Sequence, residues 1–148
     1  MAMSFDILKE AVKQYLSNKL SVNVDFGKVG EMPAETPVVL LYVEPEGKAV
    51  RNANVFAFDR AAKFYIFSCC GNKTTAHENT NDAVKLAEEV EQHIKGIEDF
   101  LNSHSNNIND RFTKITGSEE PLDFDGYYAD VAVVKLEFLI TYSPYYEK

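Results

Sequence analysis

The sequence predicts an α+β domain, with a single mixed or antiparallel sheet of about four to five strands and two long helices packed on one face. Three observations carry that reading. The segments Pro37–Val43 (PVVLLYV), Lys63–Cys70 (KFYIFSCC) and Tyr127–Tyr142 (YYADVAVVKLEFLITY) place apolar residues on both faces of a strand. Only two segments repeat apolar residues at helical spacing over a long stretch. Two helices cover one face of such a sheet, so the second face is expected to need a partner, foremost another copy of the same chain.

Ser4 is the expected N-cap of the first helix, whose apolar stripe runs through Ile7, Leu8, Val12, Tyr15, Leu16 and Leu20. The helix is expected to end near Leu20, and Ser21–Phe26 alternates polar and apolar residues as a half-buried strand does. Gly27 and Gly30 mark a turn, and Glu31–Thr36 reads as a loop. Pro37–Val43 is continuously apolar and ends at the turn Glu44–Gly47. Asn54–Phe58 alternates again, and Lys63–Cys70 follows after a short polar bend, a hairpin or meander pattern.

Gly71–Asn79 reads as a polar loop, and Thr80 or Asn81 as the start of the second helix. Its stripe is Val84, Ala87, Val90, Ile94, Ile97 and Leu101, which from Asn81 to Leu101 makes about 30 Å of helix. Glu88, Glu91, Lys95 and Glu98 form its solvated face. Asn102–Gly126 has the composition of a long loop, compatible with a short strand around Arg111–Ile115. The final strand carries Ala132, Val134, Leu136, Phe138, Ile140 and Tyr142 on the face expected to be core. Its other face, Val131, Val133, Lys135, Glu137, Leu139 and Thr141, is apolar but interrupted by charge, as a surface met by a partner is. The whole of 1–148 reads as one domain, with no linker or internal repeat.

Composition narrows the classes of function. The formal net charge is −8 with no run of Lys or Arg, so specific nucleic-acid binding is not expected. The longest apolar run is too short for a bilayer, and the N-terminal segment lacks the apolar core of a signal peptide, so a soluble intracellular protein is expected. Cys69 and Cys70 are adjacent and cannot easily form an unstrained bridge. In an apolar strand they read as small buried thiols, with a vicinal redox or metal pair as the alternative.

Chemistry-bearing patterns are sparse. His77, His93 and His104 have no metal-like spacing to each other or to the cysteines. Asp123-Phe-Asp125-Gly126 resembles part of a calcium loop, but Pro121 and Ala132 stand where ligands are required. Gly71–Thr75 lacks the first glycine and the spacing of a phosphate loop. No catalytic, metal or cofactor site is therefore expected, and the chain reads as non-enzymatic.

The order of elements resembles the tail-terminator (tail-completion) proteins of long-tailed bacteriophages and related tail-like particles. The resemblance runs through the helix Phe5–Leu20, the Pro-led strand of ETPVVLLYVEPEG, the hairpin NVFAFDRAAKFYIFSCC, the helix NTNDAVKLAEEVEQHI and the closing strand YYADVAVVKLEFLITY. It implies a structural protein that forms a homo-oligomeric ring, typically hexameric, on the end of the tail tube. The tail-tube and head-joining proteins would be its partners, and its location the bacterial cytoplasm and then the virion. The residues expected at contacts between copies are Val131, Val133, Leu139, Tyr145 and Tyr146. The alternatives are an adaptor that uses an exposed strand edge, or a ligand-binding module or enzyme with a pocket between helices and sheet lined by Tyr65, Cys69 and His77.

Overall fold

A computed structural model describes residues 4–27, 36–45, 50–51, 58–71, 76–103, 113–128 and 131–142. The elements are α1 (Phe5–Lys19), β1 (Asn23–Phe26), β2 (Val38–Pro45), β3 (Val50–Arg51), β4 (Phe58–Cys70), α2 (Ala76–Gln92), α3 (Ile94–Ser103), β5 (Thr113–Tyr128) and β6 (Val131–Tyr142). Five strands form a sheet in the order β1-β2-β4-β6-β5, and the short β3 pairs with β4 as a sixth. The β1–β2 pair is parallel and the others are antiparallel, so the sheet is mixed and the fold is α+β.

α1 begins as its sequence dictates. The Ser4 hydroxyl accepts from the Ile7 amide at 3.1 Å, and Asp6 places negative charge in the first turn. Leu8, Val12 and Leu16 are fully buried, whereas Ile7, expected on the same stripe, is exposed. The helix closes at Leu20, whose amide donates to the Leu16 carbonyl at 2.9 Å.

The expected single second helix is two. α2 starts at Ala76, ahead of Thr80 and Asn81, with Glu78 in its first turn. It ends where the His93 amide bonds the Val90 carbonyl three residues back, a tightened last turn, and α3 begins at Ile94. Ala83 and Leu86 join Ala87 and Val90 in the core, and Val84 faces solvent instead. Beyond the break Ile97 and Leu101 are buried, and α3 packs on α1 and β5.

Two further expectations are corrected around the last hairpin. Most of the supposed loop Asn102–Gly126 is strand, because β5 runs from Thr113 to Tyr128. It pairs with β6 through two irregularities, at Gly117/Leu122 and Phe124/Gly126, which disguise its period-two pattern. Tyr127 and Tyr128 close β5 opposite Ala132 and Val131, so the supposed Tyr127–Tyr142 strand is the end of one strand and the whole of the next. The strand expected at Asn54–Phe58 lies outside the described residues apart from Phe58, which opens β4.

All three helices pack on one face. Leu8, Val12 and Leu16 of α1, Ala83, Leu86, Ala87 and Val90 of α2, and Ile97 and Leu101 of α3 share one buried cluster with that face of β1, β2, β4 and β6. At its centre, Phe64 and Phe138 are register partners across β4 and β6 and stack with ring centroids 5.3 Å apart and planes 4° from parallel. Offset ring pairs of this kind add about 0.5–1.5 kcal/mol beyond their buried area.

Candidate assembly surface

Strand register defines the opposite face. Val38, Leu40, Tyr42 and Glu44 of β2 pair with Cys69, Phe67, Tyr65 and Lys63 of β4. Four of those pair onward with Val133, Lys135, Glu137 and Leu139 of β6. Because partners across a ladder share a face, this surface is continuous over three strands. No described helix covers it.

The surface has two zones. Toward the Cys69 end, Val38, Leu40, Cys69 and Val133 are buried as a second, smaller cluster, with half-buried Phe67 and Val131 against it. The Cys69 thiol donates weakly to the Phe67 carbonyl at 3.8 Å. Toward the other end lies an ionic triad on an aromatic bed. Glu137 accepts from Lys135 at 2.9 Å and from Lys63 at 3.2 Å, and its side chain is only 20% exposed. Lys63 also sits 5.2 Å from the centroid of the Tyr65 ring, and Tyr65 lies against Tyr42 at 6.0 Å. The Tyr42 hydroxyl donates to Glu44 at 3.1 Å.

This geometry sets the charge states. The hydrogen bond from Lys135, aided by that from Lys63, holds the Glu137 carboxyl below its ordinary value against the opposing effect of burial. The hydrogen bond to Glu137, followed by that with Tyr65, raises the Lys63 ammonium above its ordinary value. Glu137 and Lys63 therefore stay ionised through the neutral range. The half-buried aromatic rings are of the kind enriched at protein interfaces, and the Lys63–Glu137–Lys135 cluster is of the kind found at an interface's polar rim.

The structure places the expected contact residues unevenly. Val131 and Leu139 are half-buried on this surface. Val133 is 1% exposed, already covered within the chain, so it has no area left to offer a partner. Tyr145 and Tyr146 lie outside the described residues. Lys63, Tyr42, Tyr65 and Phe67 were not singled out as contacts from sequence; their membership follows from register, which no single strand reveals.

The pocket expected between helices and sheet is not lined as predicted. Tyr65 and Cys69 belong to the face opposite the helices. His77 lies on α2, beside Asn81 at 3.3 Å. Cys69 and Cys70 are buried and not disulfide-bonded. Among the described residues no group of three or more His, Cys, Asp and Glu is placed to hold a metal ion. Among those residues, too, no helix is long and apolar enough to cross a membrane. No protein-family model matches the chain, and no curated protein sequence matches it.

Proposed function

We propose that this chain is a structural assembly protein whose copies meet through the sheet face opposite the helices. One observation carries the proposal: three helices pack on one face, while the other presents half-buried Tyr65, Phe67, Val131 and Leu139 around the ion-paired Lys63–Glu137–Lys135 triad. Aromatic side chains supply contact area at low entropic cost, and the triad fixes register between partners more than it adds affinity.

The assembly that the order of elements resembles is the ring of a bacteriophage tail terminator, on the end of the tail tube and joined to the head. A ring needs a head-to-tail contact, so this sheet face of one copy would meet a different surface of the next. The net charge of −8 suits a ring whose lumen DNA must pass without sticking.

An adaptor that uses the β5 edge is disfavoured by that edge itself. β5 is the outer strand on one side, its pairing is interrupted twice, and its sequence carries Glu119, Glu120, Pro121, Asp123 and Asp125. Irregularity, proline and charge are the devices that keep an edge from recruiting another strand. Electron microscopy of the concentrated protein tests the proposal: closed rings of uniform diameter support it, and a field of single small particles at every concentration contradicts it.

A further inference from the structure

On the helix side, a cavity of about 360 Å³ opens between α2 and the ends of three strands. This is within the size range of small-molecule sites, which begins at about 300 Å³. Val22, Pro37 and Leu86 supply its apolar lining, and Cys70 and Gly71 line it too. Asp82, Lys85 and Glu89 complete the lining, and their spacing puts them on one stripe of α2. Side chains so placed commonly pair with each other, yet among the described residues none of the three is held in an ion pair.

The cavity thus presents unpaired charges of both signs beside an apolar wall. Asp82 and Lys85 are about 4.5 Å apart along the helix axis. One turn of helix thus offers an anion and a cation side by side, as a ligand that carries both an ammonium and a carboxylate requires. We propose that the cavity binds a free α-amino acid with a branched apolar side chain. Its carboxylate meets Lys85, its ammonium meets Asp82, and its side chain lies on Val22, Pro37 and Leu86. The site is on the face away from the proposed assembly surface, so the failure of either proposal leaves the other standing.

The test is a titration of the full chain, carrying labelled methyl groups, with L-leucine, isocaproate (no amine) and isoamylamine (no carboxylate), read at the Val22 and Leu86 methyls. Leucine is expected to shift both methyls, and each analogue to bind at least about tenfold more weakly. Lys85→Met, at an exposed helix position, is expected to reduce leucine to the level of isoamylamine while leaving the circular dichroism unchanged. An absence of methyl shifts with leucine, equal binding of isoamylamine, or undiminished binding by Lys85→Met would each overturn the assignment.

Discussion

Cys69 and Cys70 are consecutive in β4 and serve opposite faces of the sheet. Cys70 belongs to the helix-covered core, and Cys69 to the small cluster of Val38, Leu40 and Val133. Side chains alternate along a strand, so a bond between the two sulfurs would require β4 to break. The native chain is therefore expected to form no Cys69–Cys70 bridge under mild oxidant. Alkylation should be roughly tenfold or more slower in native buffer than in denaturant, as expected for buried thiols. Intact mass after alkylation checks both points; rapid loss of two thiols from the folded chain would refute them.

Gly96 and Tyr15 define the contact between α3 and α1. A Cβ at Gly96 would collide with the Tyr15 hydroxyl and come within 3.1 Å of Cζ. Tyr15 is held there by Phe100, 5.1 Å away, and by the edge of His93, at 6.5 Å. Replacing a helical glycine by alanine ordinarily gains about 1 kcal/mol, while overpacking costs about 1–3 kcal/mol. Gly96→Ala is thus expected to be neutral to destabilising by up to about 2 kcal/mol in urea unfolding. Tyr15→Phe in the same chain should recover the deficit, because it removes the colliding oxygen. A clear gain in stability from Gly96→Ala alone would refute the packing.

The triad predicts a pH signature. The Glu137 carboxyl is held below 4.5, so its stabilisation is full above that value and is lost as pH falls through the folded value. The Lys63 ammonium is held above 10.5, so its stabilisation is full below that value and is lost as pH rises through the folded value. Lys63 is 35% and Glu137 20% exposed, which limits the gain. Glu137→Gln should cost about 0.5–1 kcal/mol at neutral pH. The gap from the parent should close in acid, where the parent carboxyl is also neutral. Thermal unfolding across the acid limb measures this, and a gap independent of pH would refute it.

Much of this architecture is legible in the residues. Ser4 caps α1, continuous apolar runs mark β2 and β4, and alternation along β6 sorts its core face correctly, from Ala132 to Tyr142. What stays hidden depends on other elements. The break at His93 has no Pro to announce it, only Gly96 three residues further on, and the stripe through Ile94, Ile97 and Leu101 continues across it. β5 is masked by its two irregularities and by Gly117, Pro121 and Gly126, all loop-like in sequence. On the candidate surface, Lys135 and Glu137 are visible as an interruption of β6. The third member, Lys63, comes from a strand more than sixty residues earlier in the chain. The burial of Val133 is equally non-local, since its cluster partners Val38, Leu40 and Cys69 come from β2 and β4.

The claim that copies meet through the sheet face opposite the helices is tested most directly by solution mass across a concentration series, for the parent chain and for Leu139→Glu. Leu139 is half-buried and lies opposite Lys63 in register, so a carboxylate there has a cation to meet in the folded single chain. The same carboxylate would be desolvated in a contact between copies, and the apparent dissociation constant should rise at least about tenfold. The account predicts a parent species several times the 16.7 kDa chain mass, which Leu139→Glu shifts toward the monomer without loss of secondary structure. A strict monomer at every concentration, or an oligomer indifferent to Leu139→Glu, would contradict it.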